Sequence, residues 1–103
     1  MTGTPNQIEF AEQIKPRVHA EFNRVASALH AVAYRQVEQD RIDTLAVIEI
    51  LDEKRSEVMA KDQAGYFIRD WQELDGKVRQ MIGLDPRYRV IMARRGQRPG
   101  RSE

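Results

Sequence analysis

Along most of this chain apolar side chains recur at steps of three and four, the spacing that gathers them on one face of a helix. The first series runs Ile8, Ala11, Ile14, Val18, Phe22, Val25, Leu29 and Val32 and predicts a long amphipathic helix reaching about Val37. Its start is marked by Thr4 as N-cap, Pro5 at the first helical position and Gln7 at the third, a capping-box arrangement. Pro16 falls inside. It lacks the N–H that would reach the Glu12 carbonyl, and its ring crowds that carbonyl, so a kink or short break is expected near residues 13–16.

Gln39, Asp40 and Arg41 read as a polar connection, with Asp40 or Asp43 capping a second helix that carries Leu45, Ile48, Leu51, Val58 and Met59. Arg55 interrupts its apolar face, with its stem along the core edge and its guanidinium in water. The next break falls at Lys61 to Gln63, with Asp62 as a cap. A bent but continuous helix across residues 60–64 is the open alternative. The third series, Ala64, Phe67, Ile68, Trp71, Leu74, Val78, Met81 and Ile82, predicts a third long helix. Gly65 and Gly76 weaken it by about 1 kcal/mol each relative to Ala, marking a close approach or a bend. Gly83 fits a C′ cap, and Asp85-Pro86 opens a short last helix with Tyr88, Ile91 and Met92, closed by Gly96.

These elements predict an all-α fold: an antiparallel bundle of three long amphipathic helices, a short C-terminal helix across one end, and a disordered basic tail. Residues 1–95 form a single helical domain and 96–103 the flexible tail, because 103 residues fill only one core. A core of this size supplies little net stability, which leaves room for a homodimer that buries the end of the first helix.

Composition narrows the chemistry. The chain has no cysteine, so disulfides, thiol nucleophiles and thiolate metal sites are excluded, in keeping with a reducing cytoplasm. No apolar run approaches the roughly 20 residues of a membrane span, and MTGTPNQ lacks the basic-then-apolar order of a signal peptide. A cytoplasmic protein without a membrane partner is expected. The net charge of +1 conceals an asymmetry: residues 1–85 carry 11 Lys/Arg against 15 Asp/Glu, whereas residues 86–103 carry 6 Arg against one Glu.

No catalytic, cofactor or metal constellation emerges. His19 and His30 share a helix but stand about 16 Å apart at the helical rise, too far to hold one ion. Asp70 beside Trp71, and Asp62 near a helix start, are the only candidates for a catalytic carboxylate, and they read more simply as a solvated residue and a cap. No phosphate loop, nucleophile elbow or dinucleotide fingerprint occurs. What remains are surfaces. Arg87, Arg89, Arg94, Arg95, Arg98 and Arg101 could neutralise nucleic-acid phosphates or serve solubility. Glu49, Asp52, Glu53 and Glu57 lie within one arc of the second helix, either a negative face for a basic partner or a solvated face with Glu57 paired to Lys61. Tyr66, off the core stripe next to Phe67, Ile68 and Trp71, is the first choice for a binding hot spot, with Arg69 and Asp70 beside it.

Two segments resemble a family of short phage- and mobile-element-associated proteins. Gln7-Ile8-Glu9-Phe10-Ala11-Glu12-Gln13-Ile14 is similar to that family's opening Gln-Ile-x-Trp-Ala-Glu-x-Ile, and Ala64-Gly65-Tyr66-Phe67-Ile68 to its later Ala-x-x-Trp-Ile-Asp. Arg69 stands where the family has Asp, with Asp70 one place on. Some anti-CRISPR proteins, inhibitors of bacterial RNA-guided nucleases, resemble the same pattern. The resemblance implies a non-enzymatic inhibitor that binds a host protein complex, a nuclease complex among them, without cofactor. The alternative is a nucleic-acid-binding accessory protein acting through the C-terminal arginines.

Overall fold

The structure, a computed structural model, describes residues 1–96. Among these the fold is all-helical, with five helices: α1 (Pro5–Arg35), α2 (Glu38–Met59), α3 (Ala64–Asp70), α4 (Lys77–Leu84) and α5 (Pro86–Gly96). None is long and apolar enough to cross a membrane.

α1 begins as its capping residues dictate. The Thr4 hydroxyl accepts from the Gln7 amide at 3.2 Å, and the Gln7 side chain accepts from the Thr4 amide at 3.0 Å. The helix runs 31 residues without interruption, so Pro16 produces no break. Its exposed position lets the ring face solvent, while Ala11, Val18 and Phe22 on the opposite face hold the helix against its neighbours. α1 and α2 form an antiparallel hairpin. Thr2 donates from its amide to the Asp62 carbonyl at 2.6 Å at one end, Arg55 reaches Asn23 at 2.8 Å midway, and Arg41 reaches the Ala33 carbonyl at 3.1 Å at the other.

One core fills the hairpin and what lies across it. Val18, Phe22 and Val25 of α1 meet Val47, Ile50, Leu51 and Val58 of α2, and Phe67, Trp71, Val78, Ile82 and Ile91 close the open side. The Phe22 and Trp71 rings lie 5.7 Å apart, tilted at 52°. Gly3 passes so near α3 that a Cβ there would stand 3.0 Å from that of the fully buried Ala64, and its φ of +145° belongs to glycine.

Several expectations are corrected. The third long helix is two short ones, α3 of 7 residues and α4 of 8. A continuous helix from Ala64 to Ile82 would be straight, whereas the break at residues 71–76 lets α3 lie on α1 while α4 reaches both α1 and α2. Gly76, at φ +78°, makes the turn into α4. α2 starts at Glu38 rather than after Arg41, so the connection is Gln36 and Val37, and neither Asp40 nor Asp43 is its cap. Asp62 does not cap α3, whose N-cap is Gln63. Gly83 lies within α4, which ends at Leu84 with Asp85 beyond it. Leu45 is exposed instead of buried. Gly96 is part of α5, and the rest of the expected tail, with Arg98 and Arg101, lies outside the described residues.

Candidate functional site

The residues singled out from the sequence fall in three places. Tyr66 is half-buried: its hydroxyl accepts from Trp71 Nε1 at 3.2 Å, its ring stands edge-on to Phe67, and the Lys61 ammonium lies 5.4 Å over it. It therefore supports the core rather than projecting from it. Lys61 faces this ring and makes no ion pair with Glu57 among the described residues. Arg69 is exposed and Asp70 half-buried, 3.9 Å apart.

On α2 the acidic arc is partly neutralised from within the fold. Asp52 takes a hydrogen bond from Arg55 at 2.6 Å, and Glu53 from Arg87 at 2.8 Å. Glu49 and Glu57 are exposed and carry no ion pair among the described residues. Beside them, Asp85 is 7% exposed and accepts from the Arg87 amide, Arg87 Nε and Arg87 Nη2, with Lys54 at 3.1 Å. These bonds, Arg87's side chain first, hold the Asp85 carboxyl far below its ordinary value and push the Arg87 guanidinium up; Arg87 likewise lowers Glu53.

Three of the four described arginines of the C-terminal set are thus engaged with the fold. Arg87 binds Asp85 and Glu53, Arg94 binds Asp43 at 3.0 Å, and Arg95 lies 3.9 Å from Asp40. Arg89 alone of the four has no ion pair among the described residues. His19 and His30 are both exposed, and no group of three or more metal-ligating side chains occurs among the described residues.

The tip of the α1–α2 hairpin is different in character. Two residues, Gln36 and Val37, separate the helices, a connection short enough that Glu38 is driven to φ +54°, a left-handed conformation costly for a residue with a Cβ. Polar bonds hold this turn from inside. Arg41 donates from Nε to the Ala33 carbonyl at 3.1 Å, which the Gln36 amide also meets, and from Nη2 to the Tyr34 carbonyl at 3.3 Å, so a cation sits at the carbonyl end of α1. The Thr44 hydroxyl donates to the Gln36 side chain at 2.6 Å. Gln39 and Arg94 both donate to Asp43, which is 0% exposed.

With the polar groups turned inward, apolar ones are left outside. Tyr34 is 87% exposed, Val37 70%, Ile42 58% and Leu45 43%, half of the eight large exposed hydrophobic residues of the described chain, gathered within twelve positions. A shallow groove of about 560 Å³ opens at Tyr34 and Leu45, lined also by His30, Ala33 and Arg41. By helical period Ile42, Leu45 and Glu49 share one outward face of α2, so the apolar patch runs on into the acidic arc. Backbone strain beside a concentrated apolar surface is the combination expected where a protein makes contact with something else.

From the sequence this tip entered only as the end of the first helix that a homodimer would bury, with none of its residues singled out. Its signal was present in the apolar residues that break step: Tyr34 and Val37 lie off the stripe of α1, and Ile42 precedes that of α2. No protein-family model matches the sequence, and no curated protein or solved structure matches it either.

Proposed function

We propose that this chain is a non-enzymatic protein-interaction protein. The observation that carries this reading is the hairpin tip, where Tyr34, Val37, Ile42 and Leu45 stand in water on a turn braced by Arg41, Thr44 and Asp43. A solitary exposed side chain needs no explanation. A cluster on a rigid, strained turn is stabilised by burial against a protein surface, at about 25 cal/mol per Å² of apolar area covered. Glu49 and Glu57, without an ion pair among the described residues, extend the surface with negative charge suited to a basic partner. The resemblance to mobile-element proteins makes a host protein complex, as bound by anti-CRISPR inhibitors, the partner class for this acidic extension.

The nucleic-acid reading draws less support, because Arg87, Arg94 and Arg95 already have carboxylates beside them and would have to leave them to meet phosphates.

The test is protein binding itself. The full chain and a Val37→Glu/Ile42→Glu variant are immobilised and exposed to nuclease-treated bacterial lysate, and each is also weighed in solution by light scattering. Self-association, or one stoichiometric protein retained, lost in each case by the variant, is the expected result. A chain that is monomeric and retains only nucleic acid, or nothing, overturns the reading.

A further inference from the structure

We infer that the hairpin tip is occupied by the tip of a second copy of this chain, giving a two-fold symmetric dimer; this rests on reading the tip as a protein-binding surface. A two-fold interface places one patch against itself, so the patch must be its own complement in shape and in charge. The tip meets both conditions. Tyr34 and Val37 are its exposed apolar side chains, and the groove that Tyr34 lines together with His30, Ala33, Arg41 and Leu45 offers a recess. Each copy therefore supplies both a knob and a recess.

The charges are arranged in the same way. Arg35 ends α1 and Glu38 begins α2, on either side of the two-residue turn, and neither has an ion pair among the described residues. A two-fold axis through the turn sets Arg35 of each copy against Glu38 of the other, closing two ion pairs at once. The remaining charges of the tip have partners within the chain: Arg41, at the exposed edge of the groove, donates to the α1 carbonyls, Asp43 accepts from Arg94, and Asp40 lies beside Arg95. A basic or an acidic partner would satisfy only one of Arg35 and Glu38, while a second copy satisfies both.

A patch of four large side chains lies at the low end of specific interfaces, which bury about 800 Å² per partner in standard cases. Association is therefore concentration-dependent, and no folded part of the monomer needs to rearrange. The dimer leaves Glu49 and Glu57 of both copies outward, so the acidic face is presented twice.

Sedimentation velocity of the full chain over a range of micromolar concentrations tests this, with circular dichroism to show that each variant folds. The native chain is expected to pass from monomer to dimer, and Val37→Glu/Ile42→Glu to stay monomeric. Arg35→Glu or Glu38→Arg alone is expected to weaken the dimer by about tenfold, since the axis counts each repulsion twice, and the double swap Arg35→Glu/Glu38→Arg to restore it. A dimer unmoved by the tip variants, or a double swap no better than either single change, overturns the symmetric pairing. A native chain that stays monomeric yet retains a foreign protein through the tip overturns the dimer and leaves the interaction reading standing. A monomer that retains no protein overturns both.

Discussion

Arg94 on α5 donates from Nη2 to Oδ1 of Asp43 on α2 at 3.0 Å, joining two residues 51 positions apart, with the carboxylate wholly shielded from water. A carboxylate stripped of solvent is tolerable only with donors around it, and Arg94 and Gln39 are two of them. The pair fixes the last helix to the base of the hairpin tip.

Arg94→Ala should therefore destabilise the fold by about 2–4 kcal/mol, because it leaves Asp43 buried with a donor missing. Arg89→Ala, on the same helix, should change stability by no more than about 0.5 kcal/mol. Urea unfolding of the two variants checks this. Equal, small effects would return Arg94 to the role of a surface cation.

The Asp85 cluster sets an acid limit. Its carboxyl is held below the ordinary 3.8, chiefly by Arg87, and Glu53 below its ordinary 4.5 by the same guanidinium. A depressed carboxyl contributes stability that is fully present above its unfolded value and lost as pH falls toward the folded one. Stability should be level down to about pH 5 and decline below about pH 4. Asp85→Asn should flatten that decline, as followed by denaturant unfolding across pH; an unchanged slope would show that the cluster does not couple folding to protonation.

Two glycines should answer to alanine with opposite signs. Gly76 holds φ +78° with nothing within 4 Å of the site a Cβ would take, so Gly76→Ala suffers only the conformational penalty, about 1–2 kcal/mol. Gly83 lies within α4, has equally open surroundings and no positive φ, so Gly83→Ala should stabilise by about 0.5–1 kcal/mol. Melting temperatures of the two variants on either side of the native value are the expected outcome.

These glycines also show how far the fold was legible in the sequence. Periodicity recovered the buried faces of α1 and α2 because each repeats long enough to outweigh local noise: Val18, Phe22 and Val25, and Ile48, Leu51 and Val58, are buried as the spacing requires. The third series failed because two short helices can share one register. Phe67 and Trp71 on one side of the turn, and Val78 and Ile82 on the other, all point to the core, so the pattern passes through a break that only Gly76 betrays. The capping box of Thr4 and Gln7 and the Asp85-Pro86 start of α5 are present as the sequence predicts, whereas Asp43 does not cap α2 because it has a stronger use at depth, as the acceptor of Arg94. Tertiary partners of this kind leave no trace in local spacing. The end of the first helix was legible as a surface to be buried, but its residues were not, because Tyr34, Val37 and Ile42 fall outside the apolar series and spacing alone does not tell an exposed apolar side chain from noise.

Tyr66 offers the sharpest contrast between a residue chosen from sequence and its place in the fold. Its hydroxyl is the acceptor for Nε1 of Trp71, a side chain only 2% exposed. Tyr66→Phe keeps the ring against Phe67 and beneath Lys61 but leaves that indole N–H without its acceptor, at a cost of about 1 kcal/mol. If Tyr66 is a support, the variant should unfold at lower denaturant, with Trp71 fluorescence altered, and bind every partner of the native chain with unchanged affinity. Loss of binding at native stability would instead make the hydroxyl a contact, and would move the interaction surface from the hairpin tip to the start of α3.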